Sequence, residues 1–431
     1  MSMTPYLEYK DSGVEWIEKV PIHWNKLQVK HVFNLGRGRV ISTEEVQPEG
    51  LYPVYSSQTM NDGCLGYIDS FDFDCDQITW TTDGANAGTI FLRSGKHNCT
   101  NVCGTLQPKN NDLSLKYAMY YLSHVTQFYK RPDTNGAKIM NGEMAAILFL
   151  LPTDTEQKKI ASFLEHEVTK IDTLIAEQEK FIELLKEKRQ AAVSHAVTKG
   201  IELNVKMKES GVEWFSQIPE HWQVTKLKYA TSNIKAGPFG SAITKDMYTT
   251  SGYRVYGQEQ VIPSDFSVGD YYIDENKFQE LKQYEVRPLD LLISCVGTFG
   301  KIAVVPENIE AGIINPRLIR LRVNDKVEPH FLLENLRSKV VFEQLSSATR
   351  GGTMDTITIG TLSQVLIAIP PLVEQIAIIQ EIEANNKKFD VLISESKRAI
   401  EILQERRSAL ITAAVTGQID VRNIATQMEA A

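Results

Sequence analysis

A chain of 431 residues is too long for one compact core and suits two domains of ordinary size. Its composition (42% hydrophobic, 23% charged) is that of a folded chain and excludes extended disorder, and a net charge of -8 excludes a generic DNA-coating protein. A sequence reader is not excluded, because phosphate binding depends on local basic surface.

The chain opens without a basic, apolar leader, and its longest apolar run, Ala145 to Leu151, is too short for a bilayer. A cytoplasmic protein with no membrane partner and five reduced cysteines is expected.

In chain order, the first recognisable element is Lys10-Asp-Ser-Gly-Val-Glu-Trp16 followed by Pro21-Ile-His-Trp24. It recurs as Lys208 to Trp214 and Pro219-Glu-His-Trp222, 198 residues later. A variable block (25–150) follows, with a strand-like stretch at Gln77–Thr81, a glycine turn at Asp83–Gly88, and a helical stretch from Leu113 to Gln127. Next comes a helix after Pro152. Its residues, among them Glu156, Gln157, Asp172 and Arg189, recur without a gap 218 residues later, as Glu374, Gln375, Asp390 and Arg407. A gap-free match of this length is what a helix gives, since an insertion would rotate one face away. Between the copies lies a second variable block (223–368), strand-like at Leu289–Ser294 and Leu318–Val323 and helical over Glu328–Leu345.

In the first helix, Ile160, Leu164, Ile171, Leu174, Phe181, Leu185 and Ala192 follow a three-four spacing. In the second, Ile378, Ile382, Phe389, Leu392, Ala399, Leu403 and Leu410 do the same. A twofold relation between the copies requires them to run antiparallel. Pairing Gln178 with Ser396 at the centre sets Leu174 against Ile400, Ile171 against Leu403, Ile182 against Leu392, and Leu185 against Phe389. Every one of those pairs is apolar. The simpler alternative is that each helix packs only on its own domain.

Few motifs carry chemistry. Gly297-Thr-Phe-Gly300-Lys301 lacks the spacing of a phosphate loop, and Ile302 stands where Ser or Thr is required. Cys64, Cys75, Cys99, Cys103 and His97 lack zinc-knuckle spacing, so buried thiols and no metal are expected. His23 and His221 lie in a Trp/Pro packing motif and read as structural. Neither a methyltransferase cofactor turn with its tetrapeptide nor a nuclease carboxylate set is evident, so the chain reads as a binder and not an enzyme.

The repeated blocks, Ser12–Trp16 with Pro21–Trp24, their copy at Ser210–Trp222, Pro370–Gln375 and Ala414–Asp420, resemble those of specificity subunits of type I restriction-modification enzymes. The resemblance spans the chain end to end. It implies an α+β fold with a pseudo-twofold internal repeat: two mixed α/β target-recognition domains (1–150 and 201–368) joined by two long helices (151–200, and 369–431 with the tail) as an antiparallel coiled coil. It also implies partners: double-stranded DNA, two methyltransferase subunits and motor-nuclease subunits. No cofactor would belong to this chain, with S-adenosylmethionine, ATP and magnesium held by those partners.

Residue type nominates the DNA contacts in the variable blocks. Gln58, Asn86 and Gln258 suit adenine, while Arg37, Arg131, Lys138, Lys301 and Arg350 suit guanine or phosphate. Ser56, Ser57, Thr82, Asp83, Asn135, Phe239, Ser241, Thr298 and Thr353 complete the candidate loops. The partner and coiled-coil set is Ile171, Leu174, Gln178, Ile182, Leu185, Phe389, Leu392, Ser396, Ile400 and Leu403. The acidic charge keeps one rival open, a two-lobed coiled-coil scaffold that binds no DNA.

Overall fold

The computed structural model describes residues 4–134, 136–202, 204–295, 301–349 and 357–424. Two compact units emerge, the first built from two separate stretches, residues 1–179 with 397–431, and the second from one, residues 180–396. Each unit takes one recognition domain and part of both long helices.

Both long helices are continuous, Asp154–Lys199 and Leu372–Val415. Acidic residues in the first turn, Asp154 and Glu156 in one and Glu374 in the other, suit the positive end of the helix dipole. Just past the helix ends stand Gly200 and Gly417, with φ of +81° and +73°, a left-handed backbone that glycine adopts without steric cost.

The helices run antiparallel within each unit. In the first unit, Lys159 reaches the Arg422 carbonyl at 3.3 Å, and Asp172 meets Arg407 at 2.7 Å. Numbers therefore rise on one helix as they fall along the other segment. In the second unit, Arg189 pairs with Asp390, while a Cβ on Gly200 would stand 3.4 Å from Glu374. Asp172–Arg407 and Arg189–Asp390 are one ion pair made twice, since 390 and 407 repeat 172 and 189. Half exposed, such pairs set register more than they stabilise.

The apolar seam differs from the expected stripe. Ile171, Ile182, Leu185 and Ser396 are buried, and Gln178, Phe389, Ile400 and Leu403 are half-buried. Leu174 and Leu392, however, are 45% and 44% exposed. The seam passes instead through Val168, Ile171, Ile175, Gln178, Ile182 and Leu185, with the repeat of this row in the second helix. Alternating steps of four and three keep this row on one line. Leu174 sits about 100° away from Ile175 around the helix, on the flank.

The recognition domains share one frame. The first has an antiparallel sheet in the order Ile90–Arg93, Gln77–Thr81, Cys103–Pro108, Phe33–Arg37. The second has Ile302–Val304, Leu291–Ser294, Leu318–Val323, Thr231–Ala236. Gln77–Thr81 is central and buried throughout, as its β-branched and aromatic run Ile-Thr-Trp-Thr favours. A second sheet pairs Tyr52–Tyr55 parallel with Lys96–Cys99, matched by Tyr253–Tyr256 with Gly312–Ile314.

The repeated sequence blocks dock on each other. Trp24 and Trp222 are fully buried, each worth roughly 3 kcal/mol or more of transfer free energy. Glu156 accepts from the Tyr6 hydroxyl at 2.6 Å and lies 3.0 Å from His23 Nε2. Glu374 lies 2.7 Å from His221 Nε2 and accepts from Trp222 Nε1 at 3.0 Å. The adjacent glutamines bond helix start to domain. Gln157 accepts from the Ser114 amide and donates to the Pro152 carbonyl; Gln375 accepts from the Glu328 amide and donates to the Lys326 and Pro370 carbonyls. Ser114 and Glu328 are themselves the N-caps of the domain helices Leu115–Val125 and Pro329–Arg337.

In the first unit the chain ends meet. Asp420 N donates to the Thr4 carbonyl at 2.8 Å, and the Tyr9 hydroxyl donates to the Gly417 carbonyl at 3.1 Å. By the two repeat offsets, Thr4 and Asp420 both correspond to Glu202, where the second half runs through from helix to motif. Among the described residues, no helix is long and apolar enough to cross a membrane.

Two outcomes are expected. A circular permutant joined from residue 424 to residue 4 by a short linker, and opened between Gly200 and Met207, should melt cooperatively within a few degrees of the parent. A separate pair of variants tests the seam by thermal melting. Ile171→Asp should cost on the order of 3–5 kcal/mol by burying an unpaired carboxylate. Leu174→Asp, on the exposed flank, should stay within about 0.5 kcal/mol.

Candidate nucleic-acid interface

Each recognition domain gathers polar loops where its two sheets end. In the first domain, Arg37 donates from Nε to the Asn101 carbonyl and lies 3.4 Å through Nη2 from the Thr82 hydroxyl. Thr100 N donates to the Tyr55 carbonyl at 2.9 Å, and its hydroxyl donates to Ser56 at 3.2 Å. Four strand ends therefore converge, presenting Arg37, Ser56 and Asn101 together.

The second domain repeats the junction with different residues. Asn315 N donates to the Tyr256 carbonyl at 2.8 Å, the counterpart of Thr100 and Tyr55. Gln258 donates to the Ser294 hydroxyl at 2.7 Å, and Arg317 reaches its amide oxygen at 3.4 Å. Arg317 is exposed at this cluster, and Phe239, Ser241 and Lys301 are exposed in the same domain.

Buried arginines hold these loops in place. Arg93 stacks 3.6 Å from the Tyr55 ring and pairs with Asp62 at 2.8 Å, bracing the turn that carries Ser57 and Gln58. Arg254 donates to the carbonyls of Ser267, Val268 and Gly269 and pairs with Glu310 at 2.7 Å, bracing the loop after Gln258. Five donors in a rigid fork suit arginine to this task, which lysine could not copy.

Not every nominated residue faces outward. Thr82 is fully buried and donates its hydroxyl to the Val102 carbonyl at 3.0 Å, so it is removed from the candidate surface. The Gln58 amide donates to the Cys64 carbonyl within its own turn. Arg131 pairs with Glu143 at 2.8 Å and Lys138 with Asp133 at 3.0 Å, and the Lys138 hydrogen bond holds the Asp133 carboxyl below its ordinary range. Asp83 pairs across strands with Lys138. Asn86 lines a polar cavity of about 550 Å³ with His124, Gln127, Lys130 and Arg407. Asn135, Thr298, Arg350 and Thr353, and the Gly297–Gly300 turn, lie outside the described residues.

Asn101, Asn315 and Arg317 were not nominated from sequence. Their place at the junction follows from strand pairing between residues far apart in the chain. A polar residue one or two positions past a strand would have been the only signal.

The cysteine cluster holds thiols in packing positions. Burial pushes the Cys99 and Cys103 thiols up, Cys103 to about 11. His97 lies 2.8 Å from both the Gly95 carbonyl and the Gln77 side chain. Among the described residues, no group of three or more His, Cys, Asp or Glu is placed to hold a metal ion.

The type I restriction modification DNA specificity domain matches this chain twice, over residues 21–184 and 212–401. The chain belongs to that family. The MjaVIII specificity subunit of Methanocaldococcus jannaschii is 25% identical over 424 residues, covering 94% of this chain and 95% of that one. The MpnII specificity subunit of Mycoplasma pneumoniae is 37% identical over 165 residues, covering 37% of this chain and 50% of that one. Among solved structures, a chain from a study of assembly and conformational transition in a type I restriction-modification system aligns with a TM-score of 0.68 at 16% identity. That match covers 93% of this chain and 99% of that one. The HsdS subunit from Thermoanaerobacter tengcongensis aligns with a TM-score of 0.55 at 17% identity, covering 95% and 100%. These likenesses agree with the mixed α/β fold and its two repeated domains. Membership of a DNA specificity family does not favour the DNA-free scaffold.

Arg254→Met should destabilise the second unit by about 1–2 kcal/mol, because the carbonyls of Ser267, Val268 and Gly269 lose a shared, buried donor and Glu310 loses its ion pair. Limited proteolysis should then cut first within residues 258–270, and an uncut loop at unchanged stability would contradict the bracing role.

Proposed function

We propose that the chain reads a bipartite, asymmetric duplex target, one half-site with each recognition domain, and leaves the chemistry to partner subunits. The observation that carries this is the duplicated frame. The sheets, the junction and the helix docking occur twice, while the loops at the two junctions carry different side chains. Arg37 with Ser56 in one domain and Gln258 with Arg317 in the other supply donors and acceptors suited to different base edges.

Partners are proposed on the same ground. The name of the relative from M. jannaschii places it in a type I restriction enzyme. By that likeness, two methyltransferase subunits and motor-nuclease subunits join this chain and bring S-adenosylmethionine, ATP and magnesium with them. The exposed flanks fit the docking of a repeated partner: Leu174 and Ile402 in the first unit repeat as Leu392 and Leu184 in the second, and all four are exposed.

Replacing residues 25–150 with another recognition domain should change one half-site in a methylation map and leave the other unaltered. Changes in both half-sites would overturn the division of labour. The purified chain alone should transfer no methyl group and cut no duplex. The double variant Leu174→Asp, Leu392→Asp should fold normally yet co-purify at least ten-fold less methyltransferase. Full retention of that partner would place the docking surface elsewhere.

A further inference from the structure

The two domains share a feature that neither repeated block carries. Across the antiparallel sheet of the first domain, Arg37, Gly104, Trp80 and Ile90 form one row; Ala236, Ile319, Ile293 and Ile302 form the same row in the second. The residue after each edge strand is a glycine pressed against backbone. A Cβ on Gly38 would stand 2.2 Å from the Cys99 carbonyl oxygen, and one on Gly237 would stand 1.9 Å from that of Asn315. Gly38 N donates to the Cys103 carbonyl at 3.0 Å, and Gly237 N to that of Leu318 at 2.9 Å. Two residues further on, Val40 and Phe239 are 74% and 71% exposed.

A single exposed apolar side chain needs no explanation. The same register position in two otherwise divergent domains, each time beside a polar loop cluster, does. The clamped glycine fixes the base of the loop, so the side chain two residues on has a restricted reach.

We propose that Val40 and Phe239 each contact the 5-methyl group of one thymine in the half-site of their own domain. This rests on the DNA-reading function above and deepens it. In the major groove the thymine methyl is the apolar mark among donors and acceptors, and apolar side chains are what read it. Arg37 and Ser56 beside Val40, and Gln258 and Arg317 in the domain of Phe239, are polar groups suited to neighbouring base edges. Phenylalanine covers a methyl with a ring face and valine with its own two methyls, so both fit one task at different reach.

The test uses the full chain assembled with its methyltransferase partner, on duplexes carrying its mapped target. Each thymine is replaced in turn by deoxyuridine, which removes only the methyl. One position in each half-site should bind about 4-fold more weakly, the cost of one buried methyl-sized group. Phe239→Ala should abolish that sensitivity in the half-site of the second domain and preserve it in the other, and Val40→Ala should do the reverse. The inference fails if a mapped half-site contains no thymine on either strand, if no deoxyuridine substitution matters, or if the sensitivity survives in the variants. It also fails if Phe239→Ala weakens thymine and deoxyuridine duplexes equally, as insertion between stacked bases would require. Absence of any duplex binding by the unaltered complex would instead sink the DNA-reading function on which the inference rests.

Discussion

The structure depends on how a glutamate at the head of each long helix, buried in the first copy and half-buried in the second, is satisfied. Glu156 and Glu374 would be costly to bury unpaired. Each is met by the histidine of a Pro-x-His-Trp segment, with Tyr6 completing the set in one copy and Trp222 in the other. The partners differ because Asn204 stands where the repeat would place a tyrosine. The neighbouring glutamine ties the same helical turn to the domain helix. One turn of helix thus fixes the entry strand, the exit strand and the domain core in relation to one another. This is why two short motifs separated by a long variable block travel together through a duplication.

That anchoring leaves the loops at the far end of the sheets free to diverge. The rows of paired strands are the same in both domains, and so is the close approach of Gly38 and Gly237 to backbone. Exposed side chains beyond those rows, such as Val40 and Phe239, lie outside the core. The buried arginines follow the same division: Arg93 and Arg254 both brace a loop after the parallel strand, yet they do so through unrelated partners. A frame that carries stability separately from contact chemistry can change what it contacts at little cost to its fold.

The helix pair makes the first unit discontinuous in sequence, while the second is one unbroken stretch. Each compact unit contains a piece of both long helices, and the ion pairs Asp172–Arg407 and Arg189–Asp390 repeat one contact. The meeting of Thr4 with Asp420 closes the first unit where the second is covalently continuous.

The sequence by itself determined the duplication, the gap-free helices and their antiparallel pairing, because those rest on local periodicity and on residue identity repeated at fixed spacing. It also determined the two mixed domains, through strand-like runs and glycine turns. It misplaced Leu174 and Leu392, since a run of three-four steps admits two neighbouring stripes, and only packing against a partner selects Ile175 and Ile393 as the inward row. It could not show that Thr82 is buried, because that depends on a strand brought alongside from elsewhere, nor that the Gln58 amide is turned inward to the Cys64 carbonyl, because residue type does not fix which way a loop side chain points. The junction of Arg37, Ser56, Thr100 and Asn101 was decided by tertiary structure alone. Their separations in sequence carry no pattern, and sheet register, which brings residue 37 to residue 101 and residue 56 to residue 100, is set by long-range pairing and core burial rather than by any local propensity.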